Sequence, residues 1–516
     1  MKSFAEIYPS QSIGQLEMFD RMVFQGHLSG LYQTNSFEWY LYQQGIKLTE
    51  YKGYAEKVTQ QVKHHLEQVA AEAGRKIDYW QGGYQQQRKS KEEVVRDWVE
   101  QAGIKQGLIG IIGTLEMNSV FTIRQNKQSG YLEKRVEQRR CRHYYVYYLD
   151  EEFGQMYVRV QAWFPFEIQI YINGREWLAR QLDQQGIRYD KVDNCFWWIE
   201  QVAKAQALAQ KFAHREWPRV WNNFARRLNP WLGLIEQTIG RGYYWSINQA
   251  EIATDIMFAD QTALDEALPS LFQEALLTFS ASDVMRFLGR KLTGNFQGEV
   301  KTDLKKRHPG WRVKHWVKQN SLKMYNKGPV LRLETTINNS REFRIVDEQA
   351  TSRRWKPMPK GATNAWHFYQ VGGQANQRYL EAIMNLPYQG KADQQALTRL
   401  CQSQQPDQGR PIAKFNPLSD QDCRIFAAIV SGDHLLHGFR NCHLRQSLYP
   451  QPPTSAQDEN RLRARISRLL AKLRGHGLIE KIQHAHLYRV TAYGFRVLAP
   501  ILRFRSVDFS TDFCPA

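Results

Sequence analysis

The apolar positions change period several times along the chain, and the changes mark its elements. Up to residue 105 the rhythm is mostly helical. Tyr51–Gly74 and Lys91–Gly103 recur at helical spacing and stop at glycine, and Ser90 stands where the second takes its N-cap. From Gly107 the period becomes two. Leu108–Leu115 reads as a buried strand. Arg142–Leu149 and Gln155–Phe164, separated by the turn Asp150–Gly154, read as a hairpin, and Ile168–Asn173 reads as a further strand. Helical spacing returns over Arg175–Gln185 and Trp198–Asn229. Tyr243–Phe258, Ser321–Lys327 and Val330–Ile337 alternate as strands, the last two joined by the turn Asn326–Pro329, with a helical stretch at Ala263–Arg290. Residues 350–420 are rich in Gln, Pro and Gly and read as irregular.

The C-terminal pattern is the most specific. Asp420–Ser431 and Asn441–Leu448 read as helices. Glu459–Gly475 carries Leu462, Ile466, Leu469, Leu470 and Leu473 at helical spacing. A hairpin follows, Glu480–His484 with Leu487–Thr491, and Gly494–Arg503 closes as a helix. The expected fold is α+β and multidomain, with a central mixed or antiparallel, palm-like sheet and a C-terminal winged helix-turn-helix. The expected division is a mostly helical region over 1–105, an α+β region over 106–350, an irregular linker over 351–416 and the winged helix over 417–506.

Charge sharpens this picture. The 516 residues carry a net charge of +19. Residues 286–332 contribute +11 and residues 456–505 contribute +8, so two segments hold the whole excess. Cations gathered this way are the footprint of a polyanion binder, because each phosphate they neutralise releases counterions. In the first segment Lys305, Lys306, Arg307, Lys314 and Lys318 are the candidate nucleic-acid contacts. In the second, Arg461, Arg465, Arg468 and Lys472 share one helix face, and Lys481, His484 and Arg489 lie on the hairpin. DNA is the expected partner, with RNA open. No apolar run reaches the roughly 18 residues a membrane span needs. The N-terminus has no signal-like apolar region, and six cysteines without a CxxC pair argue against a disulfide scaffold, so the reducing cytoplasm is the expected compartment. Cys423, His434, His437, Cys442 and His443 fit no common zinc spacing. Neither GxxxxGK nor GxGxxG occurs, so no nucleotide cofactor is indicated.

Three alternating segments carry candidate chemistry. Glu251 and Asp255 share one strand face, Lys323, Tyr325 and Lys327 another, and Arg332 and Glu334 a third. If the faces converge, Glu251, Asp255 and Glu334 are candidate ligands for Mg²⁺ or Mn²⁺, because carboxylate oxygens suit hard cations. Tyr325 is then a candidate nucleophile towards a phosphodiester, with Lys327 and Arg332 beside it. The bland alternative is a structural ion pair between Arg332 and a neighbouring carboxylate, with Tyr325 in the core. The aromatic hairpin His143–Phe164 offers rings for stacking bases, or a half-buried sheet packed under helices.

Arg465–Leu498 (RISRLLAKLRGHGLIEKIQHAHLYRVTAYGFRVL) resembles a MarR-like winged helix, which implies that the Arg461–Lys472 face enters the DNA major groove and the hairpin acts as a wing. The acid-bearing strand, the KMYNK turn and the LRLE strand resemble replication initiators of rolling-circle plasmids and filamentous phages. That resemblance implies metal ligation by Asp255 or Glu251 with Glu334, and attack by Tyr325. The segments Asn173–Gln181, Asp193–Phe196, Asp283–Lys291, Val313–Tyr325 and Leu331–Asn339 resemble a bacterial family present in several similar copies per genome, which implies a mobile element. The expected function is therefore recognition of DNA with metal-dependent nicking or strand transfer. The alternative is a non-catalytic transcriptional regulator or a structured-RNA-binding protein.

Overall fold

The computed structural model describes residues 12–80, 89–277, 281–289, 300–307, 310–346 and 355–385, then 398–405, 411–417, 419–430, 438–451, 455–482 and 486–491, with a few single or paired positions besides. The chain splits into two units. One is Met1–Leu277 with Val284–Met384; the other is Thr278–Asp283 with Asn385–Ala516.

The first unit is built on one mixed sheet of eleven strands, in agreement with the α+β expectation. In chain order the strands are β1 (Ser12–His27), β2 (Ile77–Tyr79), β3 (Gly107–Gln125), β4 (Leu132–Asp150), β5 (Gly154–Gln161) and β6 (Ile168–Asn173). A separate hairpin, β7 (Tyr189–Val192) with β8 (Cys195–Ile199), comes next. Then follow β9 (Tyr244–Phe258), β10 (Val300–Arg307), β11 (Gly310–Val317), β12 (Asn320–Lys327) and β13 (Val330–Ile337). Across the sheet the order is β10-β11-β12-β13-β9-β1-β6-β5-β4-β3-β2. Every neighbouring pair is antiparallel except β2 with β3.

Several elements differ from the sequence reading. β1 lies in a stretch read as helical, yet it sits between β6 and β9 in the middle of the sheet. It is buried on both faces, and its pairing with β9 shifts register between Phe19 and Met22, so no clean alternation of apolar and polar residues survives. β3 and β4 run well past the segments read as strands, through polar positions that pair with each other. Trp198–Asn229 is not one helix. β8 ends at Ile199, and the helices Val202–Ala213 and Trp217–Leu228 follow, the second starting with a proline in its first turn. Within the stretch read as irregular, Ala365–Asn385 is a helix.

The two faces of the sheet differ in chemistry. On one, Phe19 packs on Phe212 and Tyr369, while Phe24 packs on Trp217 and Trp221. The helix Ala365–Asn385 comes close here because Gly372 has no side chain; a Cβ would stand 2.7 Å from Ile252. Asn376 follows one turn on, fully buried, donating to the Ile252 carbonyl and accepting from Thr335. The opposite face is polar and holds the site described below.

In the second unit, the helices Asp420–Ile429, Asn441–Leu448 and Ala456–Gly475 pack around Phe426, Leu444, Ile466, Leu470 and Leu473. A two-stranded hairpin, Ile479–Lys481 with Tyr488–Val490, follows. Ser419 and Ser455 cap the first and third helices by accepting from backbone N–H groups. Among the described residues no helix is long and apolar enough to cross a membrane.

Filling the gap under the long helix is expected to be costly. Gly372→Leu should lower unfolding stability by about 1–3 kcal/mol through overpacking against Ile252, as read by urea denaturation of the full chain.

Candidate active site on the polar face of the sheet

Register brings the chemistry-bearing residues together. Arg332 pairs with Asp255 across β13 and β9 and with Tyr325 across β13 and β12. Glu334 pairs with Lys323, and Thr336 with both Ser321 and Glu251. The turn between β12 and β13 needs Gly328: its φ is +59°, and a Cβ there would stand 2.4 Å from the Trp197 ring of β8.

Two sub-clusters form. In the first, Asp255 is fully buried and takes Nε and Nη2 of Arg332 at 2.7 and 2.9 Å and Nη1 of Arg175 at 2.5 Å. Arg332 spends its remaining donors on the Asn194 carbonyl at 2.7 Å and on Asp20 at 3.3 Å. Burial, then the charge of Asp255, pushes the nearby Cys195 thiol up to about 11. In the second, one oxygen from each of Asp20, Glu251 and Glu334 lies within 4.8 Å of the others. The Lys323 ammonium bonds Glu334 and stands 3.7 Å from Glu251. Tyr325 donates its hydroxyl proton to Glu334 at 2.7 Å.

The two glutamates are driven apart electrostatically. Burial, then the charge of Glu334, raises Glu251 to about 7. Burial alone would also raise Glu334, but the Lys323 ammonium and its hydrogen bond outweigh it and hold that carboxyl at about 2. Burial and then Glu334 push the Tyr325 phenol well above its ordinary value. Burial, followed by Arg332, lowers Lys327, which stands 4.0 Å from Asp193.

The expected metal ligands are thus distributed differently from the sequence reading. Glu251 and Glu334 meet, but Asp255 is committed to two guanidinium groups, and Asp20 takes its place in the cluster. Asp20 arrives because the β1 bulge adds a residue opposite β9. Arg332 is 1% exposed with its donors engaged, so it acts on the site through Asp255 and Asp20. Arg175, Asn194 and Asp20 escaped the sequence reading. Arg175 and Asn194 fall within the segments Asn173–Gln181 and Asp193–Phe196 singled out in the sequence, whereas no sequence signal marks Asp20. Three carboxylates make an oxygen-only donor set of the kind Mg²⁺ and Mn²⁺ take. Beside them, Ser321 Oγ and Thr336 Oγ1 are buried with no hydrogen-bond partner among the described residues.

Alternation places Lys305 and Lys301 of β10, and Arg312 and Lys314 of β11, on the face that carries Lys323 and Tyr325. The Lys314 ammonium lies 3.1 Å from the Trp316 ring centre, and burial, then Lys323 and Arg312, lowers it to about 8. Lys318 is at the β11–β12 turn, 3.3 Å from Glu342. The backbone of Lys306 and Arg307 is in β10, but their side chains lie outside the described residues, as does His484. In the second unit Arg461, Arg465 and Arg468 are exposed along the helix Ala456–Gly475, whereas Lys472 is drawn onto the Phe415 ring at 3.7 Å. Lys481 pairs with Tyr488 and Glu480 with Arg489, which sets Lys481 and Arg489 on opposite faces of the hairpin. The aromatic segment took the packed alternative at Tyr144 and Tyr147, which are buried.

The fold and site define a two-unit α+β protein whose large sheet carries a buried ionic site on its polar face. No family model and no curated protein matches the chain. Among solved structures, a rolling circle replication initiator protein from Geobacillus stearothermophilus aligns over 70% of this chain and 97% of its own, at 8% identity. Its TM-score of 0.19 is too low to carry an inference.

The raised Glu251 makes a pH-dependent contribution of known sign. Its folded value of about 7 lies above the ordinary 4.5, so the folded state holds the proton more tightly and stability falls as pH rises between those values. In chelator-treated protein Glu251→Gln should flatten that decline and, at pH 8, gain roughly 1–3 kcal/mol over the wild type in denaturant titrations.

Proposed function

We propose that the chain is a DNA-binding protein of a bacterial mobile element or replicon that nicks or transfers a strand at the polar sheet site. The observation that carries the reading is the Tyr325 hydroxyl, hydrogen-bonded to Glu334 within the Asp20–Glu251–Glu334 cluster and flanked by cationic strands. In this reading the three carboxylates hold Mg²⁺ or Mn²⁺, which supplies positive charge against the scissile phosphate when bound. Tyr325 Oη forms a bond to phosphorus, the bond from phosphorus to the 3′ oxygen breaks, the phenolic proton leaves through Glu334, and water protonates the 3′ oxygen. The products are a phosphotyrosine and a free 3′ hydroxyl. Lys327 faces the same side and adds charge against the phosphate. Arg332 is a positioning residue that fixes Asp20 and Asp255.

The helix and hairpin order of the second unit supports a winged helix over 417–506, with Arg461, Arg465 and Arg468 as the face towards a duplex and Lys472 braced on Phe415. Lys481 or Arg489, on opposite faces of the hairpin, then supplies the wing contact. A second reading, a non-catalytic regulator or RNA-binding protein, is favoured by one observation: the Lys323 ammonium bonds Glu334 and approaches Glu251, so a cationic side chain already serves both carboxylates.

Incubation with labelled single-stranded DNA and Mn²⁺ separates the two. The wild type should form a covalent adduct resolved on a denaturing gel. Tyr325→Phe should form none while keeping its affinity, and Asp20→Asn should lose adduct and Mn²⁺ binding together. Binding without any adduct in the wild type would favour the second reading. Affinity for DNA should fall by about 10³-fold or more as salt rises from about 50 to 200 mM, as followed by fluorescence anisotropy.

A further inference from the structure

The helix-covered face of the sheet also holds a carboxyl group. Glu17 stands on β1, pairs with Thr254 of β9 and accepts from its hydroxyl at 3.5 Å. The helix Ala365–Asn385 passes directly over this carboxyl. Gly373 permits the approach, because a Cβ there would collide with the Glu17 carboxyl carbon and both oxygens. Tyr369, one turn earlier, donates to the Glu17 carbonyl at 3.1 Å. Gln206 of the helix Val202–Ala213 bonds both backbone groups of Glu17 and donates to the Tyr369 hydroxyl at 2.7 Å. The groups that face the carboxyl are therefore Thr254 from β9, Gln206 from one helix and Tyr369 from the other. Among the described residues no cation pairs with it. Burial, then Glu17, pushes the Tyr369 phenol up, so that group stays neutral. The charged residues further along the long helix are engaged elsewhere: Arg378 donates to the Phe287 carbonyl, and Glu381 accepts from Gln377. Ionised, the Glu17 carboxyl would lie against the helix with its charge unpaired, which is costly away from water. Burial outweighs the Thr254 and Tyr369 hydroxyls and raises it to about 7.

We propose that Glu17 is a pH-sensitive latch for the helix Ala365–Asn385: the neutral carboxyl lets the helix lie on β1 and β9, and ionisation lifts it. The folded carboxyl at about 7 holds its proton more tightly than a released one at the ordinary 4.5. The closed state is therefore fully favoured below the lower value and weakens as pH rises through the upper one. Asn376 carries the change to the other face. It holds the Ile252 carbonyl and Thr335, which alternate along β9 and β13 with Glu251 and Glu334. Lifting the helix removes the support behind the two strands that bring those glutamates together. The latch works whatever chemistry the other face performs.

Hydrogen exchange of the full chain, read by mass spectrometry and corrected for the intrinsic pH dependence of exchange, tests the latch. A Glu251→Gln parent silences the titration on the other face. Between about pH 6 and about pH 8.5, protection of Ala365–Asn385 should fall about tenfold, while the helix Lys91–Ala102 keeps its protection. Adding Glu17→Gln, which keeps the shape and removes the charge, should abolish the fall. His315, which hydrogen-bonds Tyr379 of the same helix, is held at about 4 by burial and stays neutral throughout. His214, stacked on Trp366 at 3.9 Å, and His367 are present with and without Glu17→Gln. A fall that persists in the Glu17→Gln chain therefore belongs to other groups and overturns the proposal. Equal protection at the two pH values in the parent overturns it as well. The parent also gives a reading of its own, independent of whether Glu17→Gln folds: the fall should level off by about pH 8, and a fall that continues beyond that point overturns the latch.

Discussion

The buried pair of Arg332 with Asp255 is the constraint around which the first unit is arranged. Removing two charges from water costs several kcal/mol per ion unless each finds matched partners. Here the match is close to complete for Arg332, whose donors reach both oxygens of Asp255, one of Asp20 and the Asn194 carbonyl. Those partners come from β9, the β1 bulge and the β7–β8 turn, and Arg175 adds the start of the helix Gly174–Gln184. One ion pair thereby ties four other pieces of chain to β13.

The carboxylate cluster depends on that tie. Asp20 points into it because Arg332 and Asn194 hold its oxygens. Lys323, Arg332 and Arg21 face the three carboxylates, and the unequal split leaves Glu334 ionised while Glu251 titrates near neutrality. Tyr325 is bound to the same electrostatics: the carboxylate that orients its hydroxyl also resists its ionisation.

The division of labour between the two faces follows from the sheet itself. Side chains alternate across a pleated strand, so β9 and β13 can send Ile252, Thr254, Leu333 and Thr335 towards the helices and Asp255, Glu251, Arg332 and Glu334 to the other side. From Ala250 to Phe258 of β9 and along all of β13 the side chains are nevertheless buried, which makes this part of the polar face an interior surface where charges must be paired, unlike the ordinary solvated face of an antiparallel sheet.

Local pattern alone determined a good part of this protein. The strands Ile168–Asn173 and Val330–Ile337, the Asn326–Pro329 turn, the capped helix after Ser90 and the helix Asn441–Leu448 follow from period, caps and turn residues that act within a few positions of one another. The common face of Lys323, Tyr325, Arg332 and Glu334 follows equally from alternation across a hairpin. Tertiary structure alone decided the rest. β1 is central and covered on both sides, so its apolar residues do not alternate, and its bulge turns Asp20 towards Glu251 in a way no spacing in the sequence encodes. Whether Asp255 serves as a ligand or as a counter-ion depended on Arg175 arriving from 80 residues away. Charge pairing in a buried site is settled by which groups meet in space, and sequence separation carries almost no information about that.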